Sequence, residues 1–517
     1  MAGYDVVEAS IAQLGADMAA GKVTAEALVE AYRTRIAAID WAGPTLRSVI
    51  TLNPRAADEA RALDAERRGG RVRGPLHGVP LLIKDNIETG DGTATTAGSL
   101  ALKDNVTGRD APLVRRLKDA GAVVLGKTNL SEWANIRSGH SISGWSAVGG
   151  LTRNPYALDR SAGGSSSGTG SAIAASLAAA GVGTETDGSV TCPSAFAALV
   201  GLKPTVGLVS RSHVVPISAS QDTPGPMARS VADAAILLTA MAGSDPADPA
   251  TAEADAHSSD YLAALDGAGL AGKRLGVLSY CAKLAPSVDA VFAGAVATLT
   301  AAGAEVVHFE GYEPPADFGK DERAVLLTEL KAGLNAYLAT APNQVTCRTL
   351  AEVIAFNAAS EREFALFGQE LFEKAEATAG LADPGYLKAR ADGLKMAGAD
   401  GLALLIADHR LDALVAPSYG PAWRVDSALG DHGWGAASRL PAIAGYPHLT
   451  VPMGQVRGLP LGLSFIGLPW TEAALLALGH AFERIAQARR PPAYMASLET
   501  HPTFESAAAP LTARKSN

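Results

Sequence analysis

Apolar positions recur along the chain at two different spacings. Over residues 24–40, Leu28, Val29, Tyr32, Ile36 and Ile39 return every three or four positions, which is one face of a helix, and Thr24 can cap its start. Residues 54–68 carry a more charged helical pattern that Gly69-Gly70 closes, and 111–119 form a third. Short apolar runs of strand length lie between and beyond them: Val79–Ile83 with Lys84 at its end, Ala120–Leu125, Arg274–Ser279, and the runs at 411–416, 448–453 and 461–466. A helix is expected over 286–302, and 323–407 reads as mostly helical, with Leu326, Leu327, Leu330, Leu334 and Leu338 in register. Strands alternating with helices predict an α/β chain. Three stretches break the periodicity. Residues 138–170 are rich in Gly and Ser and read as a long loop with a function. A helix of small residues is expected over Ser171–Ala180, and an Asp/Ala-rich surface connection over 246–265. The last fifteen or so residues read as a loose tail.

Composition narrows the class. The chain has 517 residues, 48 % hydrophobic and 19 % charged, which excludes global disorder and allows a large core. Aromatic residues make up only 5 % against 54 glycines, so close packing of small residues and tight turns are expected. A net charge of −9 argues against broad nucleic-acid or anionic-membrane binding. No apolar run reaches about 18 residues, so no membrane span is expected. The first residues lack a basic segment followed by an apolar one, and cytoplasmic location is the expectation. Cys192, Cys281 and Cys347 are too few and too scattered for a disulfide framework or a zinc knuckle, and no cofactor or metal is expected.

Two motifs match familiar patterns without their physics. Gly121-Ala-Val-Val-Leu-Gly126-Lys127-Thr128 spells a phosphate-binding loop, yet its interior is an apolar strand whose amides should pair in a sheet. Gly164-Ser165-Ser166-Ser167-Gly168 spells a nucleophile elbow centred on Ser166, with His448 as a conceivable base, but no strand precedes it. A cysteine site at Cys192 assisted by Glu185 is a further alternative, against a small buried residue before Pro193.

Three segments read together make a better account. They are Gly78-Val-Pro-Leu-Leu-Ile-Lys84-Asp-Asn, Gly163-Gly-Ser-Ser-Ser-Gly-Thr-Gly170, and Gly183-Thr-Glu-Thr-Asp-Gly-Ser189, the last followed by Gly201-Leu-Lys-Pro-Thr205. Gly126-Lys-Thr-Asn129, Thr152-Arg-Asn-Pro155, Asp222-Thr-Pro-Gly-Pro-Met-Ala-Arg229 and Pro441-Ala-Ile support them. The set resembles the amidase signature family over roughly residues 5–490, including the 24-position spacing between Ser165 and Ser189. Glu185-Thr-Asp187-Gly-Ser with Cys192-Pro, and the helix ending Leu-Asn-Ala-Tyr-Leu338, are similar to the peptide amidase branch.

The resemblance implies a large mixed sheet sandwiched between helices, read here as one domain over 1–517 with a helical substrate-side region at about 320–407. It implies Lys84 as base, Ser165 as relay after a cis peptide, Ser189 as nucleophile, and an oxyanion hole from the amides of Thr186, Asp187, Gly188 and Ser189. The chemistry is coherent: a serine hydroxyl needs a base within hydrogen-bond reach, and lysine serves only when neutral, which burial after an apolar strand favours. No metal enters. The expected substrate is an uncharged peptide C-terminal amide or aryl amide, with aryl esters and carbamates cleaved where the leaving group is good. Ile142 and Trp145, with the helices around Phe364, Phe367 and Phe372, are the expected apolar wall, and Asp187 the polar group beside the scissile bond. The expected partner is a small molecule or peptide, with the chain a monomer or homodimer. A glutamine-hydrolysing component of a tRNA-dependent amidotransferase carries the same triad and remains an alternative, as does a nucleotide-binding protein.

Overall fold

Runs such as Leu81-Leu82-Ile83 and Val123-Val124-Leu125 satisfy their backbone groups in the protein interior only by pairing with neighbouring strands, and the fold is built on that pairing. The computed structural model describes residues 4–281, 284–309, 312–315, 318–433 and 437–508. In chain order the strands are β1 (Val49–Leu52), β2 (Pro80–Lys84), β3 (Val123–Thr128), β4 (Trp145–Ser146), β5 (Gly150–Leu151), β6 (Ala180–Glu185), β7 (Val200–Lys203), β8 (Thr223–Ala228), β9 (Arg274–Val277), β10 (Glu305–His308), β11 (Ala413–Pro417), β12 (His448–Val456) and β13 (Leu459–Ile466). All but the β4/β5 hairpin join one 11-stranded sheet, ordered β1-β3-β2-β6-β8-β7-β12-β13-β11-β9-β10. Pairing is parallel between β2 and both β3 and β6, and between β9 and both β10 and β11. The other pairs are antiparallel, so the sheet is mixed. Helices flank it in an α/β arrangement, among them Ala25–Ile39, Val231–Met241, Pro286–Ala301 and Glu472–Ala486.

Thr24 caps its helix as expected, its side chain accepting from Ala27 N. The region 323–407 is helical, from Phe318–Ala339 to Ala403–Asp408, with a π-helical stretch at Lys395–Leu402. Several expectations are corrected. The strand after Gly121 starts at Val123 and runs on through Thr128. The small-residue helix occupies Ser167–Ala174, earlier than expected, because Ser176 turns into the left-handed region (φ 55°) and the chain then enters β6. Residues 138–170 hold the β4/β5 hairpin within the loop. At the C-terminus Pro502–Ala508 is helical, and the rest of the expected tail lies outside the described residues. Among the described residues no helix is long and apolar enough to cross a membrane.

Candidate active site

Lys84 is the last residue of β2, flanked by β3 on one side and β6 on the other, and it is fully buried. Its Nζ donates to Ser165 Oγ (2.8 Å), Thr184 Oγ1 (2.8 Å) and the Thr184 carbonyl (3.1 Å). Burial pulls the lysine down to about 7, although Asp222 and Glu185 oppose it with negative charge. The next residue, Asp85, faces a second buried lysine: Lys127 Nζ lies 3.2 Å from Asp85 Oδ1 and donates to Thr95 Oγ1 at 2.9 Å. The lysine of the phosphate-loop pattern is therefore inside β3 and paired with a carboxylate, so that motif forms no phosphate cradle.

Ser165 comes from the loop between the β4/β5 hairpin and the helix Ser167–Ala174, and its peptide bond with Gly164 is cis. A Cβ on Gly164 would run into the hydroxyls of Ser131 and Ser143. The Ser165 carbonyl accepts from Ser131 N (3.0 Å), and Ser166 N donates to the Ser189 carbonyl (3.1 Å), which lays the loop against the Ser189 turn. Ser166 Oγ exchanges hydrogen bonds with the backbone of Thr184, accepting from its N–H and donating to its carbonyl at 3.2 Å each. His448 Nε2 pairs with Ser464 Oγ at 2.6 Å, and burial pushes the imidazole down to about 3. The two partners of the elbow reading are thus each engaged elsewhere.

The Thr186–Ser189 turn follows β6 directly and is held from several sides. Glu185 accepts from Val190 N (2.8 Å) and Thr191 N (2.9 Å), which commits its carboxylate to the start of the next helix. Cys192 in that helix is buried and its thiol is pushed up by burial, which removes the cysteine alternative. Thr186 Oγ1 donates to Asp222 Oδ1 (2.5 Å), while Asp222 Oδ2 accepts from Ile217 N and Ser218 N at 2.8 Å each. Gln221 Nε2 donates to the Thr186 carbonyl and to Glu322 Oε1, both at 3.2 Å. Asp187 accepts from Ser438 Oγ (2.5 Å), which accepts from the Tyr419 hydroxyl (2.7 Å), and Arg439 Nε stands 3.5 Å from the other carboxylate oxygen. Arg439 also reaches Glu322 at 3.0 Å, whose buried carboxyl is pushed up to about 8, by burial first and then by Asp187. Gly188 sits at φ 81°, where a Cβ would collide with the Tyr419 hydroxyl. Ser189 ends the turn with 8 % of its surface exposed.

The expected apolar wall is used differently. Ile142 and Trp145 are buried with Ala147 and Phe367, Trp145 standing edge-on to Phe367 with ring centroids 5.1 Å apart. Phe372 packs against Trp133, and Phe364 is exposed. A cavity of about 260 Å³, lined by Gln221, Glu322, Val206, Val325, Leu394 and Ile443, reaches the turn only through Gln221, which donates to the Thr186 carbonyl. Sequence reasoning missed Thr184, Asn86, Asp222, Gln221, Glu322, Tyr419, Ser438 and Arg439 as neighbours of the site. Asn86, Thr184 and Asp222 lie within the segments quoted for the resemblance, so a signal for them was present. Among the described residues no cluster of His, Cys, Asp or Glu is grouped to hold a metal ion.

The family model Amidase matches residues 27–476. The chain belongs to the amidase signature family. This amidase is 53 % identical to the native peptide amidase from Stenotrophomonas maltophilia, with a TM-score of 0.89 over 94 % of this chain and 99 % of that one. It is 39 % identical to a probable amidase of Arabidopsis thaliana, over 95 % of this chain and 93 % of the relative. It is also 36 % identical to the A component of the glutamyl-tRNA(Gln) amidotransferase of Moorella thermoacetica, over 91 % of this chain and 95 % of the relative. The amidase is an amide-hydrolysing enzyme, on a mixed sheet with flanking helices.

Proposed function

We propose that this amidase works through Lys84, Ser165 and Ser189 on uncharged peptide C-terminal amides or aryl amides. The observation that carries the reading is the Lys84–Ser165 contact at 2.8 Å, made by a fully buried lysine drawn down to about 7. Ser189 Oγ attacks the amide carbonyl and gives its proton to Ser165 Oγ, whose own proton passes to Lys84 Nζ. The amides of the Thr186–Ser189 turn receive the developing oxyanion, each such donor being worth about 3–4 kcal/mol in comparable sites. On collapse the C–N bond breaks, and the stored proton returns through Ser165 to the departing nitrogen. Water then attacks the acyl-enzyme by the same proton route and releases the carboxylic acid.

The peptide amidase similarity supports the peptide-amide class. The cavity beside Gln221 and Glu322 supports a bulky acyl side, since burial gains about 25 cal/mol per Å² of apolar surface. Carbamates, with a less electrophilic carbonyl, turn over more slowly than aryl esters. The similarity to the amidotransferase component keeps free glutamine in the panel.

The test pairs mutants with substrates. Ser189→Ala and Lys84→Ala each lose activity by about four orders of magnitude or more, while Ser165→Ala keeps a small remainder through water. Rapid quenching with an aryl ester traps an acyl adduct whose mass maps to Ser189. Near-wild-type turnover by Ser189→Ala would sink the mechanism. Hydrolysis of glutamine alone, with peptide amides and anilides untouched, would transfer the chain to the amidotransferase reading.

A further inference from the structure

The three oxygens around Lys84 Nζ match the three hydrogens of an ammonium group: Ser165 Oγ, Thr184 Oγ1 and the Thr184 carbonyl. A neutral amine has two hydrogens and one lone pair, so removing a proton forces a choice among these three directions. The carbonyl can only accept and always takes an N–H. The remaining N–H and the lone pair are divided between two hydroxyls, Ser165 and Thr184. Only one division makes a base for Ser165. If the lone pair turns to Thr184, Lys84 donates to Ser165 and the relay is blocked.

We infer that Thr184 is a positioning residue that aims the Lys84 lone pair at Ser165, by accepting one N–H at its carbonyl and the other at its hydroxyl. Asn86 supports this division. Its Nδ2 donates to Thr184 Oγ1 at 3.0 Å, so one lone pair of that oxygen is occupied and the other receives Lys84. The threonine proton then points away from both donors. The geometry is confined: Lys84, Asn86 and Thr184 are all buried. Thr184 also belongs to β6, and Ser166 Oγ both accepts its N–H and donates to its carbonyl, which fixes that carbonyl beside Lys84. The charged groups acting on Lys84, Asp222 and Glu185, are untouched by a change at the Thr184 hydroxyl.

The inference rests on Lys84 being the base, and the experiment separates the two. Thr184→Val keeps the branched shape and the carbonyl but removes the hydroxyl, Thr184→Ser keeps the hydroxyl, and Asn86→Ala frees it to rotate. Steady-state kinetics on an anilide across pH 5.5–9.5 are compared with Lys84→Ala. The expected result for Thr184→Val is a fall in kcat of about 10- to 100-fold with KM nearly unchanged. Its acid limb also moves to lower pH, because the ammonium form has lost an acceptor. Thr184→Ser recovers most of kcat. Asn86→Ala loses less than Thr184→Val, and adding it to Thr184→Val costs nothing further, since the rotor it controls is gone. Wild-type kcat and an unmoved acid limb in Thr184→Val, with Lys84→Ala inactive, overturn the inference and leave the base assignment standing. An active Lys84→Ala overturns both. Should Thr184→Val not fold, as judged by circular dichroism, Asn86→Ala carries the test: its kcat must fall with KM held, and unchanged kcat refutes the inference.

Discussion

A methyl group on Gly188 would collide with the Tyr419 hydroxyl, and the φ of 81° there already suits glycine alone. Gly188→Ala is therefore expected to push either Tyr419 or the turn out of place and to lower kcat by about 100-fold, the cost of misplacing an oxyanion donor. Tyr419→Phe in the same chain restores part of it, because the colliding oxygen is gone while the backbone strain stays. The check is kcat for the two single variants and the double. With Lys84 as the proposed base, the active form is the neutral one, so kcat/KM is expected to rise as pH climbs through about 7 and to level off above it. Asp222→Asn removes a negative charge that raises the lysine, so its rising limb lies at lower pH. A limb that stays put in that variant contradicts the assignment. The contact of Lys84 with Ser165 was legible because each residue sits in a short contiguous motif. Ser438 and Tyr419 were not: Ser438 meets Asp187 from 251 positions away, and nothing local in Ala437-Ser-Arg-Leu marks it.

At the scale of elements, the strands that read clearly were those with apolar runs, β2, β9, β11, β12 and β13. β8 was invisible because Thr-Pro-Gly-Pro-Met-Ala has the composition of a turn. Its two prolines are two residues apart, so both missing N–H groups fall on the same edge. The strand pairs with β6 from Glu185↔Thr223 to Gly181↔Met227, but with β7 only at Ala228 and Met227. The β6/β8 register, with Glu185 opposite Thr223, brings Asp222 to Thr186. The β3 lysine is a second case in which local letters misdirect. Lys127→Met leaves Asp85 buried without its cation, and urea unfolding is expected to show a loss of about 3–5 kcal/mol. Asp85→Asn in that background recovers part of the loss. Full stability in Lys127→Met would mean that the pair holds nothing together.

Across the whole molecule, buried His448 ties stability to pH. His448 is buried and stays neutral down to about 3, whereas an unfolded histidine takes up its proton below about 6.5. The unfolded state then binds more protons between those limits, so this contribution is complete above about 6.5 and is lost as pH falls toward 3. From pH 7 to pH 4 the melting temperature of the wild type is expected to fall relative to that of His448→Gln. Parallel slopes for the two proteins would remove His448 from the account. The α/β class was legible in the alternation of patterns, but the strand order was not, because pairing partners far apart in sequence leave no local mark.

That order has a consequence for how the chain is made. β12 and β13 are the last strands of this sheet to leave the ribosome, yet they sit between β7 and β11 in its middle. Until residue 466 has emerged, the strands already made can pair in their final order only as two partial sheets, each with a raw inner border of unpaired amides. One of them already carries Lys84, Ser165 and Ser189. A chain released early, or one whose closing hairpin is slow to dock, offers those borders to another copy of itself, so the yield of this enzyme in a cell depends on the final hairpin reaching its slot before a neighbour does.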